Sequence, residues 1–238
     1  MQDMHFNHKT LIYKKERKMK TKISDSTGFS GNILLKKVLL FCGILSSLLY
    51  ITTDMLAGFL YESYSYTDQN YSELLATGAP TRLFMLKSSI AYNILVAVFA
   101  IGIWISAGSK RFKRITSAIM VGYAIISMVT PLFFQMDMRL AEVTPRGSLH
   151  APMTALMSLF ILLSIGFGAF LLGKRFRYYS FITIIIVIVF GVLTSLQVPS
   201  LVAGQSTPWM GFTERINIYT TMLWFAILSI GLLQPENE

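Results

Sequence analysis

Cysteine is nearly absent from the 238 residues. Cys42 stands alone in the first apolar run, where it reads as packing, so the chain can build neither an internal disulfide framework nor a Cys-based metal site. Histidine is almost as scarce. Of three, only His150 adjoins an apolar run, too few for bis-histidine haem ligation across a bundle or for a zinc centre of the membrane-hydrolase kind. No metal and no cofactor is therefore expected. Charge is low too, at 14% against 53% hydrophobic residues, well below what the surface of a soluble fold needs. The G-x-S-x-G elbow, the P-loop and the dinucleotide fingerprint are all missing, and with them the sequence signatures of three large enzyme classes.

What is present is long apolar runs. Six of them, at 38–60, 83–107, 115–134, 149–172, 178–197 and 216–233, approach or exceed the roughly 20 residues that a helix needs to cross about 30 Å of hydrocarbon. No alternating barrel pattern occurs, and an open strand leaves its backbone unsatisfied in lipid, so each run is expected to be helical. The fold class is all-α: a polytopic transmembrane helical bundle of six spans. Residues 33–238 form this domain. Residues 1–32, polar and Lys-rich with clusters such as KKERKMK, are expected to be a disordered basic cytosolic tail rather than a cleaved signal peptide. Either Met1 or Met19 serves as a start.

The net charge of +9 invites a nucleic-acid partner, but its distribution argues against one. Nine of the 21 Lys and Arg precede residue 38. Four more are Lys110, Arg111, Lys113 and Arg114, and three are Lys174, Arg175 and Arg177. The other face is left with five: Arg82, Lys87, Arg139, Arg146 and Arg215. This positive-inside bias puts both termini in the cytosol and turns loops 61–82, 135–148 and 198–215 outward. The expected location is the cell membrane, as a multi-pass protein of the prokaryotic plasma membrane, with the lipid bilayer as its partner. The basic tail suits anionic lipid.

The two basic turns are alike: IGIWISAGSKRFK at 101–113 and IGFGAFLLGKRFR at 165–177, with LSIG at 163–166 repeated at 228–231. Three similar hairpins, or convergence of apolar helices that end in Lys-Arg, both explain this. Gly102, Gly122, Gly166, Gly168 and Gly191 suit close helix packing. Pro131 is expected to kink or end the third span, and Pro152 to sit harmlessly in the first turn of the fourth.

Ionisable groups at membrane depth cost about 2.5–3.5 kcal/mol each on insertion scales and are functional candidates by default. Asp54 lies deep in the first span, about 24 Å from its cytosolic end at 1.5 Å per residue. Asn93, His150, Glu214, Arg215 and Asn217 lie in or at the same end of other spans, and the loop YESYSYTDQNYSELLATGAPTR adds Ser72 and Glu73. Together these eight outline an outward-facing polar pocket roofed by loops 61–82 and 198–215. Each also has a structural reading. Asp54 can pair with Lys87 or Arg215, Glu214 with Arg215 as a rim salt bridge, and Asn93 can bond between helices. Ser72 stands at or near the N-cap of a short interfacial helix.

The first span with Asp54, the tract SYTDQNYSELLATGAPTR, the tract YNILVAVFAIGIW, His150 and TERINIY at 213–219 together resemble the Domain of Unknown Function 998 family of prokaryotic integral membrane proteins with about six helices. The resemblance covers most of 33–233. It implies the fold and membrane assignment, and it carries no activity. Its family-like positions are Asp54, Tyr66, Ser72, Glu73, Asn93, His150, Glu214, Arg215 and Asn217.

Three functions stay open. In the first, an outward pocket holds a small polar molecule or a lipid head group; a carrier would further need polar groups in the inner half, which has almost none. In the second, an intramembrane enzyme acts on a lipid or amphiphile at the outer leaflet, with Asp54 or Glu73 as base, His150 as acid–base partner and Arg215 as anion holder. In the third, the polar set only pins the helices. Contact between Asp54 and His150 beside an empty volume favours chemistry. Asp54 locked to Arg215 or Lys87 with no volume favours structure.

Overall fold

The structure, a computed structural model, describes residues 33–234; the tail expected over 1–32 lies outside them. The chain divides into two units, 1–38 and 39–238. Of the first, only 33–38 are described, and they are helical. All other described elements belong to the second.

Among the described residues every regular element is a helix. Six helices are long and apolar enough to cross a membrane: α1 (Ile33–Leu60), α2 (Arg82–Ile105), α3 (Arg111–Phe133), the stretch Pro145–Gly168, the stretch Lys174–Val202, and α8 (Met210–Leu233). The fourth is a short α4 (Pro145–Ser148) leading into α5 (His150–Gly168), and the fifth is α6 (Lys174–Ser195) leading into α7 (Val198–Val202). One 3-10 turn, Tyr71–Leu75, lies between α1 and α2. The chain is an all-α, multi-pass membrane protein.

The helices begin earlier than the apolar runs do. Arg111, Lys113 and Arg114 are in the first turn of α3, not in a loop, and Lys174, Arg175 and Arg177 open α6. Hydropathy stops at the first charge, whereas backbone hydrogen bonding does not. At these ends long side chains bend back onto polar groups: Arg114 Nη2 donates to the Gly108 carbonyl at 2.7 Å. The loop expected over 198–215 likewise contains α7 and the first turns of α8, which puts Glu214 and Arg215 in the second turn rather than at the start. Pro131 stands two residues before the end of α3, and Pro152 in the first turn of α5.

Burial follows helical period. In α2 the residues Tyr92, Val96, Phe99 and Ile103 are fully buried or nearly so. Their spacing puts one stripe of the helix into the core, against Met120, Ile165, Trp224, Phe225 and Leu228. The opposite pattern holds in α6, where Ile182, Ile185, Val189 and Val192 are exposed. Large apolar side chains left uncovered along whole helices suit contact with hydrocarbon.

Lipid gives helices no hydrophobic reason to associate, so hydroxyls and close backbone approach supply one. Ser47 donates to the Met222 carbonyl at 2.8 Å, joining α1 to α8. Ser117 donates to the Ala100 carbonyl at 2.6 Å, joining α3 to α2. The Trp224 ring N–H donates to Ser180 at 2.9 Å, joining α8 to α6. Gly168 lets α5 meet α8: a Cβ there would stand 2.6 Å from the Trp224 ring. Gly166, grouped with it by sequence, faces open space.

That contrast is testable. Gly168→Ala is expected to lose about 1–3 kcal/mol by overpacking against a rigid ring. Gly166→Ala is expected to be neutral or to gain up to about 1 kcal/mol from helix propensity. Thermal unfolding of the two variants in one detergent decides; equal midpoints would refute the packing assignment.

Candidate functional site

Asp54 of α1 is completely buried. Arg215 of α8 grips it in a two-pronged pair, Nη2 to Oδ1 at 2.9 Å and Nε to Oδ2 at 3.0 Å. Two tyrosine hydroxyls complete the carboxylate. Tyr219 donates to Oδ2 at 2.6 Å and Tyr66 to the same oxygen at 2.9 Å. The remaining guanidinium donors reach the Tyr66 carbonyl at 2.8 Å and the Tyr64 hydroxyl at 2.7 Å, with the Gln69 and Gly211 carbonyls at 3.2 Å. The Tyr66 ring lies 3.5 Å from the guanidinium carbon. Every donor of Arg215 is thus engaged, which leaves none for an anionic ligand.

This geometry needs α8 to start against the loop. Trp209, just before α8, is in the left-handed region at φ 66°, and a Cβ on Gly211 would be 2.1 Å from the Gln69 carbonyl oxygen. Asp68 receives the Trp209 N–H at 3.0 Å and the Ser65 hydroxyl at 2.9 Å. Those two bonds, the Trp209 amide first, hold its carboxyl below the usual range. Burial pushes the Tyr64, Tyr66 and Tyr71 hydroxyls up, so they serve as neutral donors.

A second arginine ties the three longer loops together. Arg139 binds Glu73 through Nε to Oε2 at 2.6 Å and Nη2 to Oε1 at 2.8 Å. It also donates to the Thr207 hydroxyl at 2.7 Å and the Gln205 carbonyl at 3.3 Å. Glu73 is further used in a capping box, exchanging bonds with Asn70 at 3.0 Å. Asn70, not Ser72, is the N-cap of the 3-10 turn.

Beneath these loops is a hollow with two lobes. The first, about 240 Å³, is roofed by Met136, Met138, Arg139 and Leu140 and walled by α5 and α6–α7. The second, about 200 Å³, lies deeper, among Tyr50, Tyr71, Tyr92, Tyr123, Asn217 and Ile218. Ser72, His150, Thr154, Ser158, Thr194 and Glu214 line both. The His150 ring donates from Nδ1 to the Phe134 carbonyl at 2.9 Å, since a carbonyl can only accept. That fixes the ring and leaves Nε2 unused. Glu214 accepts the Tyr71 N–H on Oε2.

The eight residues grouped by sequence therefore fall into three places. Ser72, His150, Glu214 and Asn217 line the hollow. Asp54, Glu73 and Arg215 line neither lobe, and each is consumed by an ion pair. Asn93 is fully buried on α2, where its amide donates within the helix to the Ser89 carbonyl at 2.8 Å and its Oδ1 finds no partner among the described residues. Of the alternatives for Asp54, Arg215 is its partner and Lys87 is exposed. Sequence reasoning missed Arg139 as a staple, Tyr64 and Tyr219 as ligands of the buried pair, and the hydroxyls of Thr154, Ser158 and Thr194. Only the richness of the 61–71 loop in tyrosine hinted at any of these. Among the described residues no three His, Cys, Asp or Glu gather as a metal site.

A family described as a protein of unknown function, DUF998, matches residues 44–231, most of the chain and all of the site. No curated protein and no solved structure matches the chain.

Removing one partner of a buried pair leaves the other charge uncompensated, at a cost of about 3–5 kcal/mol. Asp54→Asn and Arg215→Gln are each expected to unfold far below wild type in detergent, and the double variant to recover part of the loss. Additive losses in that cycle would show that the two side chains do not act as a pair.

Proposed function

We propose, from the premise that the chain belongs to the DUF998 family of unknown function, that it binds a small polar molecule or a lipid head group in the hollow lined by His150, Glu214, Ser72 and Asn217. The observation that carries this is the division of polar groups. Asp54, Arg215, Glu73 and Arg139 satisfy one another, whereas Glu214 Oε1 and the His150 Nε2 have no hydrogen-bond partner among the described residues and face empty volume; the Thr154, Ser158 and Thr194 hydroxyls beside them donate to carbonyls of their own helices and keep acceptor capacity. Buried polar groups normally find partners within the protein; those that do not are the ones a ligand would satisfy. A volume near 200 Å³ has room for several waters, or for one head group.

In this reading the hollow faces away from the cytosol, in the plasma membrane. Support comes from the basic residues Lys110, Arg111, Lys174 and Arg175, which cluster at the opposite ends of the spans. Ala151 and Ala155 of α5 and Ser195 and Val202 of α6–α7 line the wider lobe and are exposed. A mouth between those spans lets an amphiphile enter from the side. Catalysis on such an amphiphile is the second reading. It loses Asp54 and Glu73 as bases and keeps His150, whose anchored Nδ1 gives Nε2 the orientation of a general base.

The test is extraction in native lipid with mass spectrometry of what co-purifies. Wild type is expected to retain a molecule that His150→Ala and the cavity-filling Ser158→Trp lose at least several-fold. Unchanged ligand content in both folded variants would overturn the binding reading.

A further inference from the structure

Charge in the hollow is one-sided. Glu214 Oε2 accepts the Tyr71 N–H, and its Oε1 has no hydrogen-bond partner among the described residues. Its neighbour Arg215 points the other way, onto Asp54. Arg139 reaches the roof, but Glu73 already neutralises it. Asp137 adds a second carboxylate to the wider lobe, held by the Thr144 amide at 2.8 Å and the Thr144 hydroxyl. His150 Nε2, in the neutral ring, presents a lone pair. Among the described residues no uncompensated cation lines either lobe.

Aromatic side chains line the same volume. Tyr50 stacks on Tyr71 at 4.9 Å and meets Tyr92 edge-on at 4.9 Å, and Tyr92 and Tyr123 are joined through their hydroxyls at 2.9 Å. Four tyrosines therefore wall the deeper lobe, with Glu214 lining it too. A carboxylate beside tyrosine rings, with hydroxyls and an imidazole acceptor around it, is a complementary surface for an alkylammonium group. The same surface repels a carboxylate or a phosphate that has no cation to meet it.

We propose that the hollow selects an organic ammonium group, either on a free amine or as the head group of an amphiphile, with Glu214 as its counter-ion. This rests on the reading of the hollow as a binding site. It narrows the ligand class, and it removes Arg215 from the role of anion holder.

The probes are hexylammonium, hexanol and hexanoate, which share a tail and differ in charge, with ethylammonium as the tail-less amine. Each is titrated against the thermal unfolding midpoint of the full chain in neutral detergent. Glu214→Gln keeps an oxygen to accept the Tyr71 N–H, so it is expected to fold as wild type does. Hexylammonium is expected to stabilise wild type, and to need at least about ten times the concentration in Glu214→Gln. Ser158→Trp is expected to abolish the effect. Ethylammonium acting at similar concentration identifies a free amine as the source; an effect confined to the hexyl chain identifies an amphiphile. Hexanol or hexanoate matching hexylammonium, or no difference in Glu214→Gln, overturns the ammonium assignment while leaving the cavity as a site if Ser158→Trp still blocks. Should no probe act on wild type, or Ser158→Trp respond like wild type, both readings fall.

Discussion

The pair between Asp54 and Arg215 is the constraint on which the rest depends. An aspartate completely shielded from solvent in a membrane helix is tolerable only when its charge is met and both its oxygens are bonded, and here three side chains from α8 and a loop do this with four hydrogen bonds. The same arginine spends its other donors on backbone carbonyls of the loop after α1. One side chain thus fixes where α8 stands beside α1 and how the chain between α1 and α2 folds over them. The loop, once fixed, presents Glu73 to Arg139, and that second pair draws in loops 134–144 and 203–209.

The hollow is a by-product of that order. Because the roof is held from its edges by two arginines, its centre need not pack down onto the helices. Because the arginines are consumed in doing so, the space beneath is left with carboxylates, hydroxyls and tyrosine rings. Structure and proposed recognition are therefore separated on the same helix turn: Arg215 looks to α1 and Glu214 to the hollow, as adjacent positions about 100° apart on a helix must.

The spans were legible in the sequence because crossing lipid leaves a plain signature: long apolar runs, broken by basic turns. Helix starts were less so, since Lys174 or Arg111 ends a hydropathy window without ending a helix. The polar set was found by depth alone, and depth does not say what a side chain faces. Asp54 and Glu214 look equivalent in the sequence, yet one is sealed by Arg215, Tyr66 and Tyr219 while the other lines a cavity. Which is which depends on the fold of residues 61–71, where no hydrophobic period operates. Arg139 read as one more positive charge, because its partner Glu73 is 66 residues away.

The partners of the central pair are 161 residues apart in the chain, at opposite ends of the membrane domain. A ribosome adding about 5–20 residues per second therefore completes α1 roughly 8–30 s before Arg215 exists. For that interval Asp54 has no guanidinium, and the Tyr64–Gln69 segment has no donor to gather its carbonyls. Assembly of the site must then wait for α8: its insertion neutralises α1, shapes the roof and encloses the hollow in a single late event.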